Sequence, residues 1–212
     1  MLSVDPVYNV TMGPVELVEG RPFTDPAETH GDAAVMRLML ARERALAAAW
    51  TETESADAWM SEQAEDGLRH LLVFPDRARL VGARDVTVVG FFGQRRPGVD
   101  HAVVFALERD VLDSFPVYAK VGLLSYYDME LEELRFANLI LFWTADVPDQ
   151  WYRNAAHEQA VAIAPDHYRT VRLHRGRIPG RLLGTADLKI ERTRYFDFEG
   201  GRTWRALRLF VA

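Results

Sequence analysis

The chain has 212 residues, 49% of them hydrophobic, and 25 basic against 31 acidic side chains for a formal net charge of -6; that is enough apolar material to bury a core in one large domain. It contains no cysteine, which excludes disulfides, thiolate zinc sites and cysteine nucleophiles and leaves His, Asp and Glu as the metal ligands on offer. The acidic balance disfavours a general nucleic-acid binder, because phosphate contacts call for a basic face.

The opening MLSVDPVYNV places Asp5 and a proline where a secretory signal would have a basic start and an apolar run. No stretch reaches the ~18 to 20 apolar residues of a membrane span. The expectation is a cytoplasmic chain with no membrane and no nucleic-acid partner. Residues 1–31 hold Pro6, Pro14, Pro22 and Pro26 without sustained periodicity and read as an extended arm over the surface or onto a neighbouring subunit. From Asp32, taken as an N-cap, DAAVMRLMLARERALAAAW is rich in strong helix formers. Thr51 and Glu54 have capping-box spacing, and Ala56, Trp59, Met60, Ala64 and Leu68 mark one face of a second helix. Residues 32–70 are therefore expected to be a helical extension, with Trp50, Trp59 and Met60 as core.

DVTVVGFF, residues 85–92, is β-branched and aromatic and predicts the first sheet strand. Asp100 can cap a helix in which Val99, Val103, Leu107, Val111, Leu112 and Phe115 recur, ending at Pro116; a strand over 101–107 is the competing reading. VGLLSYYDMEL and FANLILFWT predict an antiparallel hairpin. Asp146 then caps a helix carrying Val147, Trp151, Tyr152, Ala155, Ala156 and Ile163, closed by Pro165. HYRTVRLHRGRI is the next strand, and Gly200-Gly201 supplies a tight turn between two more over 186–211. Over 85–177 this order gives an α+β, ferredoxin-like β-α-β-β-α-β sheet with an N-terminal helical extension and a C-terminal β-hairpin, in one domain spanning 1–212. Such a sheet leaves one face free of helices.

Alternation places Tyr168, Thr170, Arg172 and His174 on one side of the strand at 168–175. If Val171 and Leu173 pack on the helices, Tyr168, Arg172 and His174 line a candidate pocket on the open face, where Arg172 and His174 suit a carboxylate or other anion. The alternative is an ion-pair role against Asp128, Glu130 or Glu132, which the pattern favours. The run Arg169, Arg172, Arg175, Arg177 and Arg181 reads first as a solvated, balanced face. His157 falls on the polar side of a continuous helix. His157, His167 and His174 match no standard metal spacing, so no metal is expected. The glycines at 90, 93 and 98 form no phosphate loop, and Ser125 has no nucleophile elbow.

The block NLILFWTADVPDQWYRNAAHEQAVAIAPDHYRTVRLHRG, residues 138–176, resembles the second half of a dimeric α+β barrel subunit. That superfamily includes antibiotic-biosynthesis monooxygenases, haem-degrading monooxygenases and EthD-like proteins. Trp143, Trp151 and His157 echo its aromatic strand end followed by a His-bearing helix. The resemblance implies a homodimer closed through the open sheet face, and a protein that binds or oxidises a small aromatic or anionic molecule. Haem-degrading members also carry an Asn on the first strand, which DVTVVGFF lacks, so no cofactor is expected and haem on His157 is the alternative. A noncatalytic oligomeric protein without a ligand pocket is the other reading.

Overall fold

The computed structural model describes residues 8–50, 58–65, 67–100 and 102–210. In chain order they form β1 (Val10–Met12), a 3-10 turn (Pro22–Thr24), α1 (Pro26–Ala49), β2 (Trp59–Glu65), β3 (Leu68–Phe74), α2 (Arg77–Gly82), β4 (Arg84–Arg95), α3 (Ala102–Asp113), α4 (Phe115–Val121), β5 (Leu123–Leu131), β6 (Arg135–Phe142), α5 (Val147–Trp151), α6 (Ala155–His167), β7 (Tyr168–Arg181), β8 (Lys189–Asp197) and β9 (Trp204–Leu209). All nine strands share one sheet in the order β1-β9-β8-β7-β4-β6-β5-β3-β2. Every pairing is antiparallel except that of β1 with β9.

This corrects the expected ferredoxin-like β-α-β-β-α-β fold. The strands between Arg84 and Arg181 are the middle of a nine-stranded mixed sheet, continued by β3 and β2 on one side and by β8, β9 and β1 on the other. DVTVVGFF is thus the fourth strand in the chain, not the first. Where a second helix was predicted, β2 and β3 form a hairpin with Trp59 opposite Phe74, their rings stacked at 5.3 Å. The cause lies in β2: as the last strand of the sheet it is exposed at almost every position, so it lacks the alternation that identifies a half-buried strand. The supposed capping box, Thr51 and Glu54, and Ala56 lie outside the described residues.

The first long helix starts earlier than predicted. Asp25 is its N-cap, accepting from the Ala27 amide at 2.7 Å, and Pro26 occupies the first helical position, where a missing N–H costs nothing. Asp32 is therefore not a cap but lies within α1, buried. Met36, Met39, Leu40 and Ala47 of α1 pack with Val86, Val88, Leu139, Leu141 and Ile178 in the larger core cluster. Gly90 lets the helix come close, since a Cβ there would sit 2.7 Å from the Met36 methyl carbon.

The other face carries α3 to α6. Val111, Phe115, Val147 and Trp151 pack there on Leu71, Val89, Tyr126, Ile140 and Phe142. Helices thus lie on both faces, and the face expected to stay open for a dimer or a ligand carries α1. Among the described residues no helix is long and apolar enough to cross a membrane. The predicted helix from Asp146 to Pro165 is two, α5 and α6, with Asn154 capping the second at 2.8 Å and Pro165 inside it. In place of the competing strand, residues 102–107 belong to α3; Asp100 accepts from the Ala102 amide at 2.9 Å as α3 begins.

Candidate functional site

Along β4, Val86, Val88 and Phe92 serve the α1 side, while Val89 and Phe91 face α3 and α6. Between those two helices and the sheet lies a cavity of about 550 Å³, walled by Phe91, Val104, Leu107, Ile163, Leu173 and Phe196 among others. Its size is that of a small-molecule site, and its walls are mostly apolar, as such sites usually are.

One part of its lining is polar. Tyr126 donates to Glu108 at 3.2 Å, Asn138 donates to the Tyr126 hydroxyl at 3.2 Å, and Asn138 also donates to Asp128. Arg69 closes the ring, reaching Glu108 at 2.8 Å and Asp128 at 2.9 Å. Asp128 is fully buried and the Glu108 side chain is only 8% exposed. Burial, and then the charge of Glu108, push the Asp128 carboxyl well above the usual carboxylate range. Glu108 is raised as well, by burial, with Arg69 opposing. Two buried carboxyls that share one ion-pairing arginine at low dielectric are both shifted toward the protonated form. The Tyr126 phenol, raised by burial and then by these two acids, stays neutral and can donate.

The three residues expected to share a pocket are divided. The register runs Gln94 to Thr170 and then Arg95 to Tyr168, so Arg169 is an extra residue on β7. Such a bulge turns the side chain beyond it to the opposite face. Tyr168 therefore joins the cavity, edge-on to Phe91 at 5.4 Å, with its phenol raised by burial. Arg172 and His174 stay together on the α1 side. Arg172 reaches both oxygens of Asp32, at 2.5 and 2.8 Å. The two imidazole nitrogens of His174 lie 2.9 Å from Asp32 and 2.8 Å from Thr193. Burial works against the Asp32 charge, but the bonds from Arg172 and His174 outweigh it and hold the carboxyl below its usual value. Their partner is thus an acid of α1, and not Asp128, Glu130 or Glu132.

A second cleft, of about 440 Å³, opens beside Arg172. Its charges are largely paired: Arg21 with Asp197, Arg169 with Glu199 at 2.9 Å, and Arg172 with Glu28 at 3.3 Å. Two more of the basic run on β7 are balanced in the same way, Arg175 by Asp149 at 3.1 Å and Arg177 by Glu191 at 2.9 Å, while no ion pair forms at Arg181 among the described residues.

His157 is not on a solvent face. The Trp151 and Tyr152 ring centroids lie 6.1 and 5.1 Å from its imidazole, and burial lowers its pKa to about 4. Its Nδ1 is buried without a hydrogen-bond partner, and the residue stands in the cavity lining. Among the described residues no group of three or more His, Asp and Glu side chains stands close enough to hold a metal ion.

Glu108, Tyr126, Asp128 and Asn138 were not singled out as a site in the sequence. The available signal was Asp128 itself, an acid inside the apolar strand LLSYYDMEL, since an acid is seldom fully buried without a partner. Compared with family models, curated proteins and solved structures, the chain matches none of them.

Proposed function

We propose that this protein binds a small, mainly apolar molecule in the cavity between α3, α6 and the sheet. The observation that carries the reading is the combination in one space: about 550 Å³ of mainly apolar volume lined also by Glu108, Tyr126 and Asn138, three members of a polar ring that Arg69 and Asp128 complete. Apolar walls supply affinity, and the few convergent polar groups set orientation. Glu108, which lines the cavity and whose carboxyl burial raises, also offers a group that can donate to, or accept from, a polar atom of the ligand. Arg172 and His174 support the site from the far side of the sheet by fixing α1.

The test is uptake of N-phenylnaphthylamine, an uncharged dye that brightens in apolar surroundings. Wild-type protein is expected to give a saturable rise in emission. Ala164→Trp, which fills the cavity from α6, is expected to abolish that rise while leaving the circular-dichroism melt unchanged. No saturable rise in the wild type, or equal uptake by a folded Ala164→Trp variant, rejects the reading.

A further inference from the structure

We infer that the ligand of this cavity is an amphiphilic carboxylate, its head held by Arg194 and Arg205 and its apolar body lying against Phe196, Leu173 and Ile163. This rests on the cavity reading above and names the class of ligand.

Arg194 stands on β8 opposite Leu207, and Arg205 stands on β9 opposite Phe196. Paired residues of adjacent strands share a face, so both guanidiniums leave the sheet on the same side, one diagonal apart. That side is the cavity, which both residues line. Each is half-buried. Their setting differs from that of four of the five arginines on neighbouring β7. Arg169, Arg172, Arg175 and Arg177 each have a carboxylate partner, whereas among the described residues no ion pair forms at Arg194 or Arg205. Arg205 Nε is moreover buried with no acceptor. A buried donor left unpaired costs free energy that an incoming acceptor recovers.

The surrounding charge is positive on balance, with Asp149 held by Arg175 at 3.1 Å. Burial, then the charges of Arg194 and Arg175, hold Arg192 below its ordinary value. The acid lining this side of the cavity, Glu158, is exposed on α6. Guanidinium forks match carboxylates in geometry as well as charge.

The opposite end dictates the orientation and the number of charges. Glu108 and Asp128 belong to the α3, β5 and β6 side, and β8 is three strand spacings from β6, roughly 14 Å at ~4.8 Å per spacing. An anionic group there would meet two buried acids. The cavity therefore suits one negative charge at the arginine end, with a neutral tail or hydroxyl at the other.

The experiment is displacement of bound N-phenylnaphthylamine by two matched pairs, decanoate against decanol and naphthoate against naphthol, on wild type and on the Arg194→Gln/Arg205→Gln double variant. In the wild type at least one carboxylate is expected to displace the dye at roughly ten-fold lower concentration than its alcohol, as a charge-assisted hydrogen bond provides. The double variant should lose that preference while its affinity for the alcohol stays the same. Which pair shows the larger preference tells a flexible chain from an aromatic body. Equal displacement by acid and alcohol, displacement by neither, or a preference that survives in the double variant overturns the inference and leaves the cavity reading standing. Failure of the dye itself to bind removes both.

Discussion

Arg172 grips both carboxylate oxygens of Asp32, at 2.5 and 2.8 Å, and so ties the middle of β7 to the second turn of α1. All but a tenth of the Arg172 side chain is hidden from solvent. Removing one partner strands the other as a buried charge, which costs far more than the intact pair contributes. Arg172→Ala is expected to lower unfolding free energy by about 3–5 kcal/mol, measured by urea unfolding. Because the Asp32 carboxyl is held below its usual value, the pair's contribution is full above the ordinary carboxylate range. It fades as acid approaches the lowered folded value. Dye uptake by the folded fraction should persist, since the cavity lies on the opposite face. Loss of uptake with unchanged stability would make Arg172 a ligand residue instead.

Glu43 gives the opposite pH dependence. It is buried in α1, receives a hydrogen bond from Ser125 at 3.0 Å, and has a second oxygen without a partner. Burial raises its pKa from 4.5 to about 8. The unfolded chain gives up this proton first, so stability falls as pH rises between those two values, by on the order of 1 kcal/mol per pH unit. Glu43→Gln, which keeps a neutral side chain there at all pH values, is expected to flatten that slope. Urea midpoints taken from about pH 5 to about pH 8 should converge at the acid end and separate at the basic end. Parallel curves for variant and wild type would show that Glu43 is already ionised in the fold.

The ring at the cavity depends on Arg69, which contacts Glu62 at 2.6 Å as well as Glu108 and Asp128. Arg69→Gln leaves the two buried acids without the cation that both of them contact. The expected loss is about 3–5 kcal/mol near neutral pH, shrinking in acid, where both carboxyls can take up protons. With Arg69 gone their folded pKa values rise further, so the penalty grows with pH above the unfolded carboxyl values of about 4. A loss independent of pH would mean that Arg69 acts by packing alone.

What could be read in the sequence followed local signal strength. The strands β4, β5 and β6 were legible because their apolar runs serve cores on both faces. The turn at Gly200 and Gly201 was legible because both adopt positive φ, 88° and 76°, which other residues resist. The start of α1 was missed although Pro26 after Asp25 spelled it out. A cap role for Asp32 conceals the acid that Arg172 and His174 share. His157 departs from the polar side that a continuous helix predicts, because the break between α5 and α6 resets the helical phase. Tyr168 was assigned to the wrong face by strict alternation, which a single bulged residue, Arg169, cancels. Sheet order depends on contacts far apart in sequence, such as β3 against β5 and β1 against β9, and no local pattern reports them.

Two glycines separate backbone from side-chain crowding. A Cβ on Gly90 would meet the end of Met36, with its sulfur at 2.8 Å, and a flexible thioether can swing aside. A Cβ on Gly176 would overlap the Lys189 carbonyl oxygen and stand 3.0 Å from the Ile190 Cα, at the bulge where β7 and β8 change register. Backbone held by its own ladder cannot yield in that way. Gly90→Ala is expected to cost about 1 kcal/mol, the low end of overpacking. Gly176→Ala should exceed the usual overpacking range of about 1–3 kcal/mol and should loosen β8, β9 and β1, which reach the rest of the sheet through β7. Amide exchange separates the cases: Gly176→Ala should accelerate exchange in β8 and β9 ahead of β4 and β6, whereas Gly90→Ala should leave their order unchanged. Equal melting shifts with no selective loss of protection in β8 would show that the β7–β8 contact is not the constraint.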